Sequence, residues 1–256
     1  MDFQSGRALR AKLKSGAVSV GAWQTLGQPA IAEVFAGTGV DWVMIDMEHS
    51  MLDLRDVAEA IRVVDLMGKV ALVRPPELDP ALIKRLLDAG AHGIMIPNVI
   101  SRQQAIDAVA ATRYLPTGMR GVGLGRAQAY GNGFREQFDW AVEGALVIVQ
   151  IEDKRAIEDL DGIFSVDGVD AFFVGPYDLS CSLGAPGNFS TDAFNQAMET
   201  LLRKGREMGL PAGYHVVEPN PGDLQARVDM GYRLIAYGVD FRLLHRGMAD
   251  ALASLS

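Results

Sequence analysis

Eight short apolar runs, rich in β-branched residues, recur along the chain with helix-like segments between them. This alternation constrains the fold more than any other feature. The runs are Val18–Leu26, Trp42–Glu48, Val70–Pro75, Gly93–Val99, Ala145–Glu152, Ala171–Asp178, Ala212–Val217 and Arg233–Asp240. Strands apolar on both faces suit a parallel sheet covered on both sides. Strands alternating with helices build βαβ units. Eight units in 256 residues predict an α/β protein, one (β/α)8 TIM-barrel domain over residues 1–256.

The intervening segments carry helix punctuation. In Asp79–Gly90 the aspartate can cap, Pro80 suits the first helical position, and Gly90 suits the stop. Leu82, Ile83, Leu86 and Leu87 then form one apolar stripe. Asp53–Met67 repeats the pattern with Leu54, Val57, Ile61 and Val64, and Ser101 and Thr191 are candidate caps for two more helices. The N-terminal cations Arg7, Arg10, Lys12 and Lys14, opposed by Asp2, would suit a transit peptide. Leu9 and Leu13 at i,i+4 favour instead a short amphipathic helix leading into the first strand, and a cytoplasmic protein follows.

A chain that is 49% hydrophobic and 22% charged is expected to form a well-cored globular protein. No apolar run reaches the roughly 18 residues of a membrane span. The net charge of −8 argues against nucleic acid or an anionic membrane as partner, since both require a basic face. Cys181 is the single cysteine, so no disulfide framework exists; a small packed residue is expected there rather than a reactive thiol. Leu115–Asp139, with Pro116 and six glycines, is read as a long loop of the kind that forms lids or contact arms. Its Gly121–Arg126 core does not match a dinucleotide-binding loop, because the glycine spacing differs and the segment precedes a strand.

Active sites of parallel barrels lie at the C-terminal ends of the strands, so polar residues there are informative. The second run ends in Asp46, Glu48 and His49, the third in Arg74, the fifth in Gln150 and Glu152, and the sixth in Asp178. Neighbouring strands lie about 4.8 Å apart, so Glu152 and Asp178 can converge on one cation. Two carboxylates with open positions suit Mg2+ or Mn2+, which complete their shells with water and substrate oxygens. Zinc suits the chain less, because His49, His92, His215 and His245 show no ligand spacing. His215 lies in the seventh run near the rim, where a packed, hydrogen-bonded histidine is the plainer expectation. Arg74, apolar on both sides, needs a counter-charge in Glu48 or Glu152, or else a substrate oxyanion. His49, beside the acidic pair, suits a general base.

The stretches Asp46–His49, Val70–Pro75, Gly118–Gly123, Gln150–Glu152 and Gly175–Ser180 occur in the order of the HpcH/HpaI aldolase family. The chain resembles that family over nearly its whole length, most of all the 4-hydroxy-2-oxoheptanedioate and 2-dehydro-3-deoxyglucarate aldolase branch. The resemblance implies a metal-dependent (class II) pyruvate aldolase of aromatic or sugar acid catabolism, a cytoplasmic lyase assembled as a hexamer. It implies Glu152 and Asp178 as ligands of Mg2+ or Mn2+, with Co2+ a third candidate. His49 looks like the proton acceptor, Arg74 like the stabiliser of the enolate, and Gln150 like a substrate contact. The N–H groups of Tyr177 and Asp178 would meet the carboxylate of the 2-oxo acid. Asp88 matches the family's support for the histidine, but barrel geometry sets it late in its helix, away from its own rim, so Asp46 is a second candidate. The resemblance also lets the Leu115–Asp139 loop reach a neighbouring site.

Retro-aldol cleavage of a 4-hydroxy-2-oxo acid to pyruvate or hydroxypyruvate and an aldehyde leaves charge on the C2 oxygen, which a divalent ion stabilises. A Schiff-base aldolase would need a lysine in an apolar strand, and Lys12, Lys14, Lys69, Lys84, Lys154 and Lys204 all fall outside the strands. Two rivals stand beside this reading. A CoA-thioester lyase akin to citrate lyase β-subunits would need a basic groove, and a non-catalytic metal-binding barrel would use its carboxylates in structural pairs.

Overall fold

The computed structural model describes residues 1–255, the side chain of Val142 excepted. Eight parallel strands close into a barrel in chain order. They are β1 (Ser19–Gln24), β2 (Trp42–Asp46), β3 (Val70–Arg74), β4 (Gly93–Ile96), β5 (Leu146–Ile151), β6 (Ala171–Val174), β7 (Ala212–Val216) and β8 (Leu234–Val239). Helices follow every strand, and β8 returns to pair with β1. This is the (β/α)8 TIM barrel expected from the alternation of runs.

The two-residue period of a strand divides the core into two layers. Trp42, Met44, Leu72, Met95, Ile148 and Phe173 fill the barrel. Val43, Ile45, Ala71, Val73 and Ile94 point outward under the helices. Each fully buried aliphatic side chain contributes about 1.5–3 kcal/mol, which explains runs apolar at successive positions.

The expected caps are present. Asp53 accepts from the N–H groups of Arg55 and Asp56, and Asp79 accepts from that of Ala81 ahead of helix Pro80–Ala89. Gly90 closes that helix at φ 105°, a left-handed position that glycine occupies without penalty. Ser101 and Thr191 cap helices Arg102–Thr112 and Asp192–Glu207. The N-terminal helix, Phe3–Lys14, closes the barrel's N-terminal end by burying Leu9 and Leu13 among the interior side chains. His92 latches it there: its Nδ1 accepts from the Ala71 N–H at 3.1 Å, so its Nε2 donates to the Asp2 carbonyl at 2.9 Å. Burial holds this imidazole below its usual pKa, in keeping with a neutral ring.

Several boundaries differ from the sequence reading. β6 stops at Val174, because Pro176 has no N–H for the ladder and instead opens helix Pro176–Ser182. Asp178 therefore stands in the first turn of a helix, not at a strand end. β2 stops at Asp46, leaving Glu48 and His49 in the turn beyond. The stretch read as a loop contains a 3-10 segment, Arg126–Gly131, and helix Phe134–Glu143. Trp140 and Ala141, with Phe138 partly buried beside them, pack that helix against the core, and the glycine density ahead of it masked it. The segment packs at the N-terminal end of the barrel, where Arg126 donates to Asp65 and Arg120 pairs with Asp88 at 2.7 Å. It is thus no lid over this chain's own C-terminal rim. Cys181 is exposed on helix Pro176–Ser182, contrary to the packed position expected. No helix of the described residues is long and apolar enough to cross a membrane.

Candidate active site

Asp46 and Arg74 are register partners at the ends of β2 and β3, so their side chains leave the same face one strand apart. Arg74 grips Asp46 with both edges of its fork, Nε to Oδ1 at 2.9 Å and Nη2 to Oδ2 at 2.7 Å. Its Nη1 lies 2.8 Å from Glu48 Oε2, an ion pair off hydrogen-bond alignment, and donates to Gln150 Oε1 at 3.3 Å. The guanidinium carbon sits 4.9 Å from the centroid of Trp23, whose Nε1 donates to Asp46 Oδ2 at 3.1 Å. Burial alone would raise the Asp46 carboxyl, but the bonds and charge of Arg74 outweigh it and hold Asp46 below the usual range.

The network continues to Glu152. Gln150 bridges, accepting from Arg74 and donating through Nε2 to Glu152 Oε2. The Asn98 N–H donates to Oε1 at 2.6 Å, from a residue at φ 49°; asparagine is among the few side chains at home there. Glu152 is buried behind Gly175, where a Cβ would fall 2.3 Å from Oε2. Only glycine leaves room for this carboxylate. Burial first, and then the charge of Glu48, push the Glu152 carboxyl up to about 7, against the opposing pull of the Asn98 N–H. Burial likewise raises Glu48, with Arg74 opposing.

The electrostatics test whether a cation fits. Asp46, Glu48 and Glu152 gather around one guanidinium, and Asp178 adds its charge to the upward pressure on both glutamates. Among the described residues no group of three or more His, Cys, Asp or Glu forms a metal cage. What the rim offers is hard carboxylate oxygen with an excess of negative charge, the donor set of an ion that keeps open positions for water and substrate. Before it lies a cavity of about 470 Å³. Its wall includes Trp23, Asp46, His49, Arg74, Gln150 and Asp178, with Glu152 just behind.

A model of the HpcH/HpaI aldolase/citrate lyase family matches residues 19–246. The chain belongs to this family. A 4-hydroxy-2-oxo-heptane-1,7-dioate aldolase of Salmonella arizonae is 38% identical over 249 residues, covering 96% of this chain and 93% of its own. A 2-keto-3-deoxy-L-rhamnonate aldolase of Escherichia coli is 36% identical over 245 residues, 95% of this chain and 91% of its own. The crystal structure of a family member from Burkholderia cenocepacia superposes with a TM-score of 0.91 at 35% identity, covering 97% of this chain and 98% of that one. The protein is accordingly an aldolase, a carbon–carbon lyase.

In this aldolase, Asp46, Arg74, Gln150 and Glu152 form one continuous network, with Glu48 attached. His49 joins it loosely: its side chain is 65% exposed and its Nε2 lies 3.9 Å from Glu48 Oε2. Neither candidate support reaches the His49 ring within one chain. The Asp46 carboxylate is taken by Arg74, Trp23 and the Glu48 N–H. Asp88 lies near the end of helix Pro80–Ala89, three residues short of the Ala91–His92 entry to β4 and so at the opposite end of the barrel, bound to Arg120. Tyr177 is exposed and meets Phe189 edge-on at 5.0 Å.

Sequence reasoning missed Trp23 as the plate beneath Arg74, Asn98 as the donor to Glu152, and Gly175 as the space for it. The Gly-Pro junction after β6 was visible as a strand stop. The Trp23 contact had no local signal, because it arises from barrel closure between β1 and its neighbours.

Proposed function

We propose that this aldolase, working as one (β/α)8 domain over residues 1–256 in the cytoplasm, reversibly cleaves 4-hydroxy-2-oxo acids. The products are pyruvate, or hydroxypyruvate, and an aldehyde. We assign Glu152 and Asp178 as the residues that hold a divalent ion, Mg2+ or Mn2+. The observation that carries this is buried Glu152, lifted to about 7 by burial first and then by the charges of Glu48 and Asp178, a pressure that a cation would relieve. Both relatives' names describe aldolases whose substrates are 4-hydroxy-2-oxo acids. The citrate lyase β-subunit of Mycobacterium tuberculosis, described with magnesium and oxaloacetate, shares the fold at 16% identity.

The bound ion supplies Lewis-acid stabilisation of negative charge on the substrate's C2 oxygen. The chain's own groups do the rest. The N–H groups of Tyr177 and Asp178 lie in a first helical turn, which lacks intrahelical acceptors; they bind the C1 carboxylate. Arg74, fixed by Asp46, turns Nη1 toward the cavity and donates to the C2 oxygen. The His49 imidazole takes the 4-hydroxyl proton. The C3–C4 bond then breaks, its electrons pass to C3 and the C2 oxygen, and the new carbonyl leaves as the aldehyde. The proton held on His49 returns to C3 and completes the methyl group of pyruvate, with Glu48 beside the transient imidazolium.

Phe241, Leu244, Met248 and Leu252 remain exposed along one side of helix Asp240–Ala253, which supports a homo-oligomer; we propose the hexamer. A CoA-thioester lyase finds little support. The cavity wall carries Arg74 and Arg227 as its guanidinium groups and no lysine, and Arg74 is already neutralised. The test is pyruvate release from a panel of 4-hydroxy-2-oxo acids set beside CoA thioesters of the same acids. Cleavage of the free acids is expected. Turnover of the thioesters alone would reverse the assignment.

A further inference from the structure

Several polar groups on the cavity wall take no part in the mechanism above, and one of them is a histidine. His215, on β7, stacks on Trp23 with centroids 4.6 Å apart and planes 18° apart, on the same indole that Arg74 covers. Its Nε2 lies 3.1 Å from the Gly238 carbonyl. A carbonyl only accepts, so Nε2 carries the ring proton and Nδ1 is left as a bare acceptor. No protein donor among the described residues meets Nδ1, and it is not among the fully buried unpartnered atoms. It therefore opens on the cavity that His215 lines. The same cavity is lined by Phe173, Val217, Val239 and Phe241 together with Thr25, Arg74 and Glu218. Burial pushes this imidazole down to about 4, so the ring stays neutral at ordinary pH.

A fixed acceptor on a cavity wall selects a donor. A carboxylate offers none, an alkyl group offers none, and a hydroxyl offers one. We propose that His215 determines specificity by accepting a hydrogen bond, through Nδ1, from a hydroxyl group of the aldehyde fragment. The enzyme then favours hydroxyaldehydes over unsubstituted ones. This rests on the aldolase reading given above and adds the chemical class of the second substrate.

The experiment runs the reaction in the direction of synthesis, adding pyruvate to 2-hydroxypropanal, 2,3-dihydroxypropanal or propanal with Mg2+ or Mn2+ present. Sites built to hydrogen-bond a hydroxyl discriminate against analogues lacking it, and one lost bond to a buried group corresponds to roughly 5- to 150-fold. The wild-type enzyme is expected to prefer a hydroxyaldehyde to propanal at least tenfold in kcat/KM. Two variants separate recognition from structure. His215→Asn keeps a polar atom near the Nδ1 position and gives up the bond to Gly238; it is expected to retain most of the preference. His215→Gln can still reach the Gly238 carbonyl but has no acceptor near Nδ1, and its preference is expected to collapse toward one. The opposite pattern, or an equal preference in wild type, would overturn the proposal. Failure to add pyruvate to any aldehyde would instead overturn the aldolase reading beneath it.

Discussion

If Glu152 holds the metal, metal binding must displace a proton, because the metal-free carboxyl sits at about 7 and only the carboxylate coordinates. A group with that pKa is about 90% protonated at pH 6 and about 10% at pH 8. Binding should then release about 0.9 proton per site at pH 6 and about 0.1 at pH 8, and apparent affinity should fall about tenfold from pH 8 to pH 6. Calorimetric titration of Mn2+ in buffers of differing ionisation enthalpy measures both quantities. Glu48→Gln removes the second-ranked cause of the shift, the neighbouring charge, and should move the midpoint to lower pH. Glu152→Gln should weaken binding and abolish proton release. The stability linkage has a definite sign: the folded pKa lies above the unfolded value of 4.5, so the contribution is complete below about 4.5 and is lost as pH rises through 7. The metal-free wild type should lose up to about 3 kcal/mol against Glu152→Gln between pH 5 and pH 8. Affinity independent of pH across 6–8, with no proton released, would refute this role for Glu152.

Two substitutions probe the scaffold of the site. Gly175→Ala places a methyl group 2.3 Å from Glu152 Oε2, a clash worth about 1–3 kcal/mol in a packed site; Mn2+ affinity should fall tenfold or more with the barrel's circular dichroism unchanged, and undiminished affinity would be contrary. Arg74→Ala strands buried Asp46 without its partner, costing about 3–5 kcal/mol, so the variant should melt lower as well as lose orders of magnitude in pyruvate release. Adding Asp46→Asn should recover part of the melting temperature and none of the activity. Full activity in Arg74→Ala would contradict the part given to Arg74.

The barrel was legible because each strand is buried on both faces, which leaves apolar runs such as Val70–Val73 that need no tertiary knowledge to recognise. Caps such as Asp79, Pro80 and Gly90 were equally local. The rim residues were visible as charges at the ends of such runs, yet their pairing was not. The grip of Arg74 on Asp46 follows from the β2–β3 register, which the order of residues does not reveal; the expectation had been Glu48 or Glu152. His49 was placed from its acidic neighbours, and the ring proves to have only Glu48 nearby. The position of Asp88 late in its helix, away from the rim, was legible from barrel geometry, whereas its partner Arg120 was not. Gly175 was read as part of the sixth run, and its purpose, room for Glu152, appears only when β5 and β6 lie side by side.

A divalent ion on Glu152 and Asp178 is proposed to enable carbon–carbon cleavage without a covalent enzyme intermediate. The most direct measurement is pyruvate release from a 4-hydroxy-2-oxo acid by protein stripped with a chelator, then resupplied with Mg2+ or Mn2+, with borohydride added in parallel. Loss of cleavage on stripping, recovery on resupply, no recovery in Glu152→Gln, and no lysine trapped by borohydride are expected. Cleavage that survives stripping and leaves a reduced adduct on a lysine would contradict the account.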